Sequence, residues 1–318
     1  MAKNKIWMIV LFTIVVYIIM GVYADFGKLS LIISEFRWQY FLLLIGLTTI
    51  GYFIRYIKWD LFLKATGLHL DYKENLFIFF SGLSMIVTPG KLGEIWKSWL
   101  IKDISGEELS KTLPVVIMDR VTDIVSLVLL SFLGIFYYRK GVSFLIVLSI
   151  CCIGFYIAIR SQSISGKIKT VLEKKFSKYA TDMQLMHETM NKITEPKIFV
   201  SLSLLNVLAW FFECMGLYYV VIGFGHYIRV PLSTFIFSFS SLAGGISMIP
   251  GGIGVAEAGI SGLLILNGIS PALSVGIALI LRLGSFWYGA LLGFTVHVIF
   301  KKKVMRAKEN LGNGVKNV

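Results

Sequence analysis

Ser247-Met248-Ile249-Pro250-Gly251-Gly252-Ile253-Gly254-Val255-Ala256-Glu257 repeats the design of an earlier stretch, Ser84-Met85-Ile86-Val87-Thr88-Pro89-Gly90-Lys91-Leu92-Gly93-Glu94. In each, an apolar segment runs into Pro-Gly and a glutamate follows near the start of a second apolar segment. Proline removes a backbone donor and glycine permits left-handed backbone, so each stretch breaks a helix. The apolar flanks, residues 75–102 and 232–268, make each break a hairpin at membrane depth. There, irregular backbone persists only where protein or a water-filled cavity satisfies its polar groups. A matched pair of broken helices in the two halves of a chain points to a binding site near the midplane, which is how transporters are built.

Composition agrees. Of 318 residues, 56% are hydrophobic and 15% charged, against about 25% charged in soluble domains, so a soluble enzyme is excluded. Apolar runs cover 6–24, 38–59, 113–137, 142–160, 198–222 and 271–299, each near or above the roughly 20 residues that cross a hydrocarbon core. The expected fold is an all-α polytopic membrane protein with six spanning helices and two Pro-Gly hairpins. The arms of the first hairpin are short enough to be re-entrant. Lys3 and Lys5 precede the run 6–24, which exceeds a signal-peptide core of about 7–15 residues and reads as an uncleaved first span. Cys151, Cys152 and Cys214 lie within spans at no disulfide or metal spacing, so they read as packing residues.

With the N-terminus inside, only Lys28, Arg37, Arg139, Lys140 and Arg229 fall on external loops, and most of the 31 Lys and Arg are cytoplasmic. This satisfies the positive-inside rule and puts both termini in the cytoplasm, with the protein in the cytoplasmic membrane. The first hairpin then enters from the cytoplasm and the second from outside, so the repeats 38–137 and 198–299 are inverted. Arg120 and Arg282 stand at nearly the same distance behind Pro89 and Pro250. The whole chain reads as a single membrane domain, with a basic cytoplasmic connector at 161–197 and a basic cytoplasmic tail at 301–318. Within the connector, Ile168, Leu172, Tyr179, Met183, Met186, Met190 and Ile193 form a helical stripe among lysines, either an amphipathic helix on an anionic leaflet or a solvated link.

Ionisable groups within spans are costly, about 2.5–3.5 kcal/mol each on insertion scales, and those retained face a pathway or pair with one another. Here they are Asp119, Arg120, Asp123, Glu213 and Arg282. One reading makes them part of a substrate site. The other makes them structural ion pairs, Arg120 with Asp123 and Arg282 with Glu213 or Glu257. In the hairpins, Pro89, Gly90 and Gly93, like Pro250, Gly251, Gly252 and Gly254, leave N–H groups free at the start of a half-helix, where an anion is favoured. Lys91 and Lys97 add full charge beside the first, whereas Glu94 and Glu257 are placed to act as internal caps. Trp96 and Trp99 suit the headgroup level, and Gly289 with Gly293 reads as a helix-packing motif. His69, His187, His226 and His297 are scattered, and neither a catalytic constellation nor a nucleotide-binding motif is present. The chain is therefore not expected to be an enzyme or to carry a cofactor or metal.

Thr88-Pro-Gly-Lys-Leu-Gly-Glu94, Met118-Asp-Arg-Val-Thr-Asp123 and Ile249-Pro-Gly-Gly-Ile-Gly-Val-Ala-Glu-Ala-Gly259, in this order, resemble the lysylphosphatidylglycerol synthase transmembrane-region family, which is flippase-like. The resemblance runs over roughly residues 5–300 and implies the translocation half of fused members, without their cytosolic aminoacyltransferase. It carries Lys91, Glu94, Asp119, Arg120, Asp123, Glu257 and Arg282 over as matching polar positions. The implied function is movement of an anionic phospholipid or lipid-linked precursor. The implied partners are membrane lipids and a lipid-modifying enzyme or glycosyltransferase, with no nucleic acid. Two alternatives stay open: a membrane-embedded transferase or hydrolase using Asp119 or Asp123 on a lipid phosphate, and an accessory subunit presenting lipid to a partner enzyme.

Overall fold

The computed structural model describes residues 2–88, 92–135, 141–161 and 180–315, and its elements are helices throughout. In chain order they are α1 (Ala2–Ala24), α2 (Phe26–Ser34), α3 (Gln39–Ala65), α4 (Tyr72–Leu83), two 3-10 turns (Ser84–Val87 and Leu92–Ile95), α5 (Trp96–Ser105), α6 (Leu109–Leu133) and α7 (Val142–Arg160). They continue with α8 (Ala180–Ile193), α9 (Pro196–Gly223), α10 (Val230–Ile246), α11 (Val255–Leu266), α12 (Pro271–Arg282), a π turn (Leu283–Trp287) and α13 (Tyr288–Val315).

Among the described residues, four helical stretches are long and apolar enough to cross a membrane: α3, α7, α9 and the continuous Pro271–Lys302. The pair α1 and α2, bent by 89° at Asp25, makes a fifth if counted as one span. Asp25 takes a φ of 64° there, and its carboxylate accepts the Gly27 N–H. The run 113–137, expected as a sixth span, overlaps α6, which starts earlier and ends at Leu133. That helix has 25 residues, but Asp119, Arg120 and Asp123 interrupt its apolar character. α7 is the most peripheral crossing helix, with 6% of its apolar window buried, so it faces outward.

The helices flanking the Pro-Gly stretches are shorter. α4 and α5 have 12 and 10 residues, and α10 and α11 have 17 and 12. At 1.5 Å per residue they reach about 18, 15, 25 and 18 Å, all below a core of about 30 Å. The tip residues Pro89, Gly90 and Lys91 lie outside the described residues. In the second tip, Gly251, Gly252 and Gly254 have φ of 61°, 64° and 88°, a region that favours glycine. A Cβ on Gly252 would lie 3.0 Å from the Gly244 backbone, so the tip closes tightly onto its own first arm.

The packing is reciprocal. α3 lies along α9, with Gly51 against the Ala209 carbonyl and Gly216 against Leu44. α4 of the first hairpin packs on α13, and α10 of the second packs on α6. The first contact runs through Gly293, where a Cβ would strike the Phe80 and Ser84 backbone, while a Cβ at Gly289 would strike the Tyr52 hydroxyl of α3. The expected packing motif thus seats α13 on α3 through Gly289 and on the first hairpin through Gly293. The preceding helices follow the same exchange, α1 and α2 against α12, α7 and α8 against α6. Two large apolar cores result, one around Leu44, Leu217, Phe235 and Ile277, the other around Trp59, Phe62, Ile78 and Ile101, with a small third at Ala24, Leu29 and Val275.

Of the connector, residues 162–179 lie outside the described residues. The remainder, α8, packs on α6 and buries Ile193 fully, and Met190 meets the second core. This part of the stripe meets protein, because α6 offers it an apolar face.

Candidate functional site

The charged side chains of the interior converge between the two hairpins. α3 contributes Arg55 and Lys58, one turn apart and both buried. Lys58 Nζ lies 2.9 Å from Asp119 Oδ1 and 3.3 Å from Asp123 Oδ1, and donates to Thr122 Oγ1 at 3.1 Å. α5 contributes Lys97, whose stem runs across Gly82 and whose Nζ sits 4.3 Å from the Trp59 ring centroid. That ammonium lies 3.0 Å from Asp119 Oδ2 and 3.1 Å from Glu94 Oε2. Arg120 closes the cluster, 3.0 Å from Glu94 Oε1, 2.7 Å from Asp119 Oδ2 and 2.9 Å from Asp123 Oδ2. Asn206 and Trp210 on α9 add N–H donors to Asp123 Oδ1 at 3.0 and 3.2 Å.

Two further pairs complete the site. Arg55 bonds Glu213 while its guanidinium lies 3.9 Å over the Trp210 ring. Arg282 donates through Nε to Glu257 Oε1 at 2.8 Å and through Nη2 to the Gly251 carbonyl at 2.7 Å, with its guanidinium 4.0 Å over Phe286. Each cation has a carboxylate. Lys58, Lys97, Arg120, Arg55 and Arg282 are matched one for one by Glu94, Asp119, Asp123, Glu213 and Glu257. Matching is what makes such burial tolerable, since an unpaired buried ion costs several kcal/mol.

These groups surround a cavity of about 450 Å³ that both hairpins line, through Ile86 and Thr88 on one side and Met248 and Gly251 on the other. The charges are not presented evenly. The arginine side chains are 25% (Arg120), 13% (Arg282) and 10% (Arg55) exposed, whereas Glu257 is 0%, Asp119 1%, Glu94 4%, Glu213 7% and Asp123 8%. Arg55, Arg120 and Arg282 line the cavity and are each more exposed than the carboxylates they pair with; Glu94, Asp123 and Glu213 line it too, while Asp119 and Glu257 stand behind. Aromatic and aliphatic side chains, among them Phe79, Phe237 and Leu242, form most of the remaining wall.

Of the residues singled out from sequence, Glu94, Lys97, Asp119, Arg120, Asp123, Glu213, Glu257 and Arg282 all belong to this assembly. Lys91 lies outside the described residues. Arg282 pairs with Glu257, while Glu213 is taken by Arg55. Glu257 does cap its helix, accepting the Gly254 N–H at 2.8 Å, so the anion at that helix start is internal. Glu94 does not: the Gly93 N–H goes to Thr88 Oγ1 at 2.7 Å, leaving Glu94 for Lys97 and Arg120. Trp96 packs against His297, with ring centroids 4.6 Å apart, and Trp99 is half exposed. Sequence reasoning missed Arg55 and Lys58, although two cations at i and i+3 inside an apolar run carried the same signal as Asp119 and Arg120. It also missed Tyr17, Asn206 and Trp210, which have no distinguishing pattern.

An all-helical body with several crossing helices and paired charges buried around a central cavity is a multi-pass integral membrane protein. The chain belongs to the lysylphosphatidylglycerol synthase TM region family, whose pattern matches residues 8–293. Relatives include a UPF0104 membrane protein of Pyrococcus horikoshii, 26% identical over 80% of this chain and 85% of the relative. A UPF0104 membrane protein of Methanocaldococcus jannaschii is 23% identical over 70% of this chain and 97% of its own length.

Proposed function

We propose that the protein moves an anionic phospholipid or lipid-linked precursor across the cytoplasmic membrane, leaving the lipid chemically unchanged. The observation that carries this reading is the uneven display of charge, with Arg55, Arg120 and Arg282 lining the cavity and each more exposed than the carboxylate it pairs with. A phosphate entering there meets arginine edges, the geometry that suits bidentate oxyanion recognition. The apolar remainder of the wall suits the upper part of a lipid tail. Asp119 and Asp123 are each held by cations of the chain, which favours a charge-lined passage over a metal-assisted hydrolase.

The two halves read as an inverted repeat. Their reciprocal packing, the exchange of hairpins between α13 and α6, and the like pairs Glu94 with Arg120 and Glu257 with Arg282 support it. In this reading the hairpins are re-entrant from opposite sides, α6 is a sixth span made tolerable by its ion pairs, and both termini are cytoplasmic. Such a construction lets one site face each side in turn. Reconstitution into liposomes containing fluorescent phosphatidylglycerol or phosphatidylcholine, quenched from outside and followed by chromatography of the recovered lipid, tests the proposal. Extra quenching of intact phosphatidylglycerol is expected. Altered lipid, or no quenching beyond protein-free liposomes, overturns it.

A further inference from the structure

The last long helix changes geometry in its middle. Between Arg282 and Tyr288 it widens into a π turn, Leu283–Trp287, the departure produced when one extra residue is fitted into an α-helix, and a frequent mark of functional sites. Gly284 and Ser285 lie inside it, and Gly/Ser pairs and π turns are among the few causes of sharp bends in long helices. Behind Arg120, the corresponding stretch of the first half is regular α-helix. Halves that otherwise pack alike therefore differ here.

The two ends of this turn hold different hairpins. At its start, Arg282 bonds Glu257 and the Gly251 carbonyl. Phe286 presses so close to Gly251 that a Cβ there would strike its ring. Those contacts all belong to the second hairpin. Past its end, Gly289 and Gly293 seat the helix on Tyr52 and on the backbone of α4, in the first hairpin. The turn is pinned from outside as well: the Tyr52 hydroxyl donates to the Ser285 carbonyl at 2.9 Å, and the Trp287 indole N–H donates to the Tyr17 hydroxyl at 2.8 Å. Tyr17 in turn donates to Glu257 at 3.3 Å.

We propose that this π turn is the hinge that couples the two hairpins. Relaxing it to α geometry, with no residue removed, turns one end against the other by about 100° and moves them apart by about 1.5 Å, the increments of one helical residue. Arg282 then leaves Glu257 and the Gly251 carbonyl while α13 keeps its seat on the first hairpin. The cavity wall is remodelled on one side only. This concerns motion, not cargo, and stands apart from which lipid is moved.

The test uses full-length protein with Cys151, Cys152 and Cys214 replaced, in phosphatidylglycerol nanodiscs. Spin labels go at Tyr72 and Leu266, exposed by 64% and 66% on the first and second hairpins. Pulsed dipolar spectroscopy reads the distance between them. Two distances are expected in the parent, and one in a variant lacking Ser285, the distance of the π form, because that helix has no extra residue to release. Tyr52→Phe keeps the ring but removes the donor to Ser285. It is expected to shift the two populations by about two- to tenfold toward the other distance, that of the relaxed helix, the worth of one hydrogen bond. The hinge is overturned if the parent shows one distance and Tyr52→Phe leaves it unchanged, or if the populations fail to move in Tyr52→Phe. Because the readout is a distance, it is unaffected by whether lipid crosses.

Discussion

The pair Arg282 and Glu257 makes a prediction with a sign that simple pair-counting would miss. Glu257 is completely buried, whereas Arg282 is 13% exposed at the cavity edge. Arg282→Gln leaves a buried carboxylate with the Gly254 N–H and the Tyr17 hydroxyl as its remaining donors, at 2.8 and 3.3 Å. Stranding one member of a buried pair costs about 3–5 kcal/mol. Glu257→Gln leaves the guanidinium at the cavity edge, still bonded to the Gly251 carbonyl, and its amide oxygen can still cap Gly254. Its cost is that of weakened hydrogen bonds, about 1–3 kcal/mol. The double variant removes both charges and should resemble Glu257→Gln, giving a coupling energy from a double-mutant cycle equal to the cost of Arg282→Gln alone, about 3–5 kcal/mol. Reversible unfolding in mixed micelles by denaturing detergent supplies the four stabilities. If Glu257→Gln costs more than Arg282→Gln, or if the two costs add, the placement of one charge behind the other is wrong.

Other consequences follow from the same geometry. Lys58→Met should destabilise the fold by about 3–5 kcal/mol in the same assay, because Asp119 and Asp123 lose a fully buried partner. Arg55→Lys keeps the charge but loses the planar stack on Trp210, worth up to about 2 kcal/mol where desolvated. A lipid-movement rate cut by roughly tenfold or more, with Arg55→Gln lower still, is the expected liposome result. Gly293→Leu drives a side chain into the α4 backbone and should unseat the first hairpin, read as faster hydrogen exchange across 72–88. In a cysteine-free background, Lys302→Cys should react with impermeant maleimide only after the cytoplasmic face is opened; labelling from outside would invert the topology.

Much of this arrangement was legible in the chain before folding was considered, and the reasons are physical. Pro-Gly breaks and mid-span charges are both costly in a bilayer, so each stands out against an apolar background, and Glu94, Asp119, Arg120, Asp123, Glu257 and Arg282 were found that way. The pairing was legible in part: Arg120 with Asp123 was expected, and Glu257 was one of two partners offered for Arg282. Arg282 and Glu257 meet because α11 and α12 pack side by side, and Glu213 was left to Arg55 because α3 lies along α9. Arg55 and Lys58 were passed over because they sit toward the end of their run, where long cationic side chains ordinarily reach for the interface. The buried capping of Gly254 by Glu257 was foreseen, since a glutamate three residues past a helix start has that reach. The π turn was not, as Leu283–Trp287 carries no sequence mark beyond a Gly-Ser pair.

The central claim, that arginine edges in the cavity carry an anionic headgroup, is tested most directly by lipid movement in Glu94→Gln/Arg120→Gln. Removing one charge of each sign preserves the balance of the cluster, so the protein is expected to fold, and circular dichroism with size exclusion would verify it. In phosphatidylglycerol liposomes the account predicts that this folded variant moves lipid at least about tenfold more slowly than the parent, the loss of one charged contact worth about 1.5 kcal/mol or more. A folded variant that moves phosphatidylglycerol at the parental rate would contradict it.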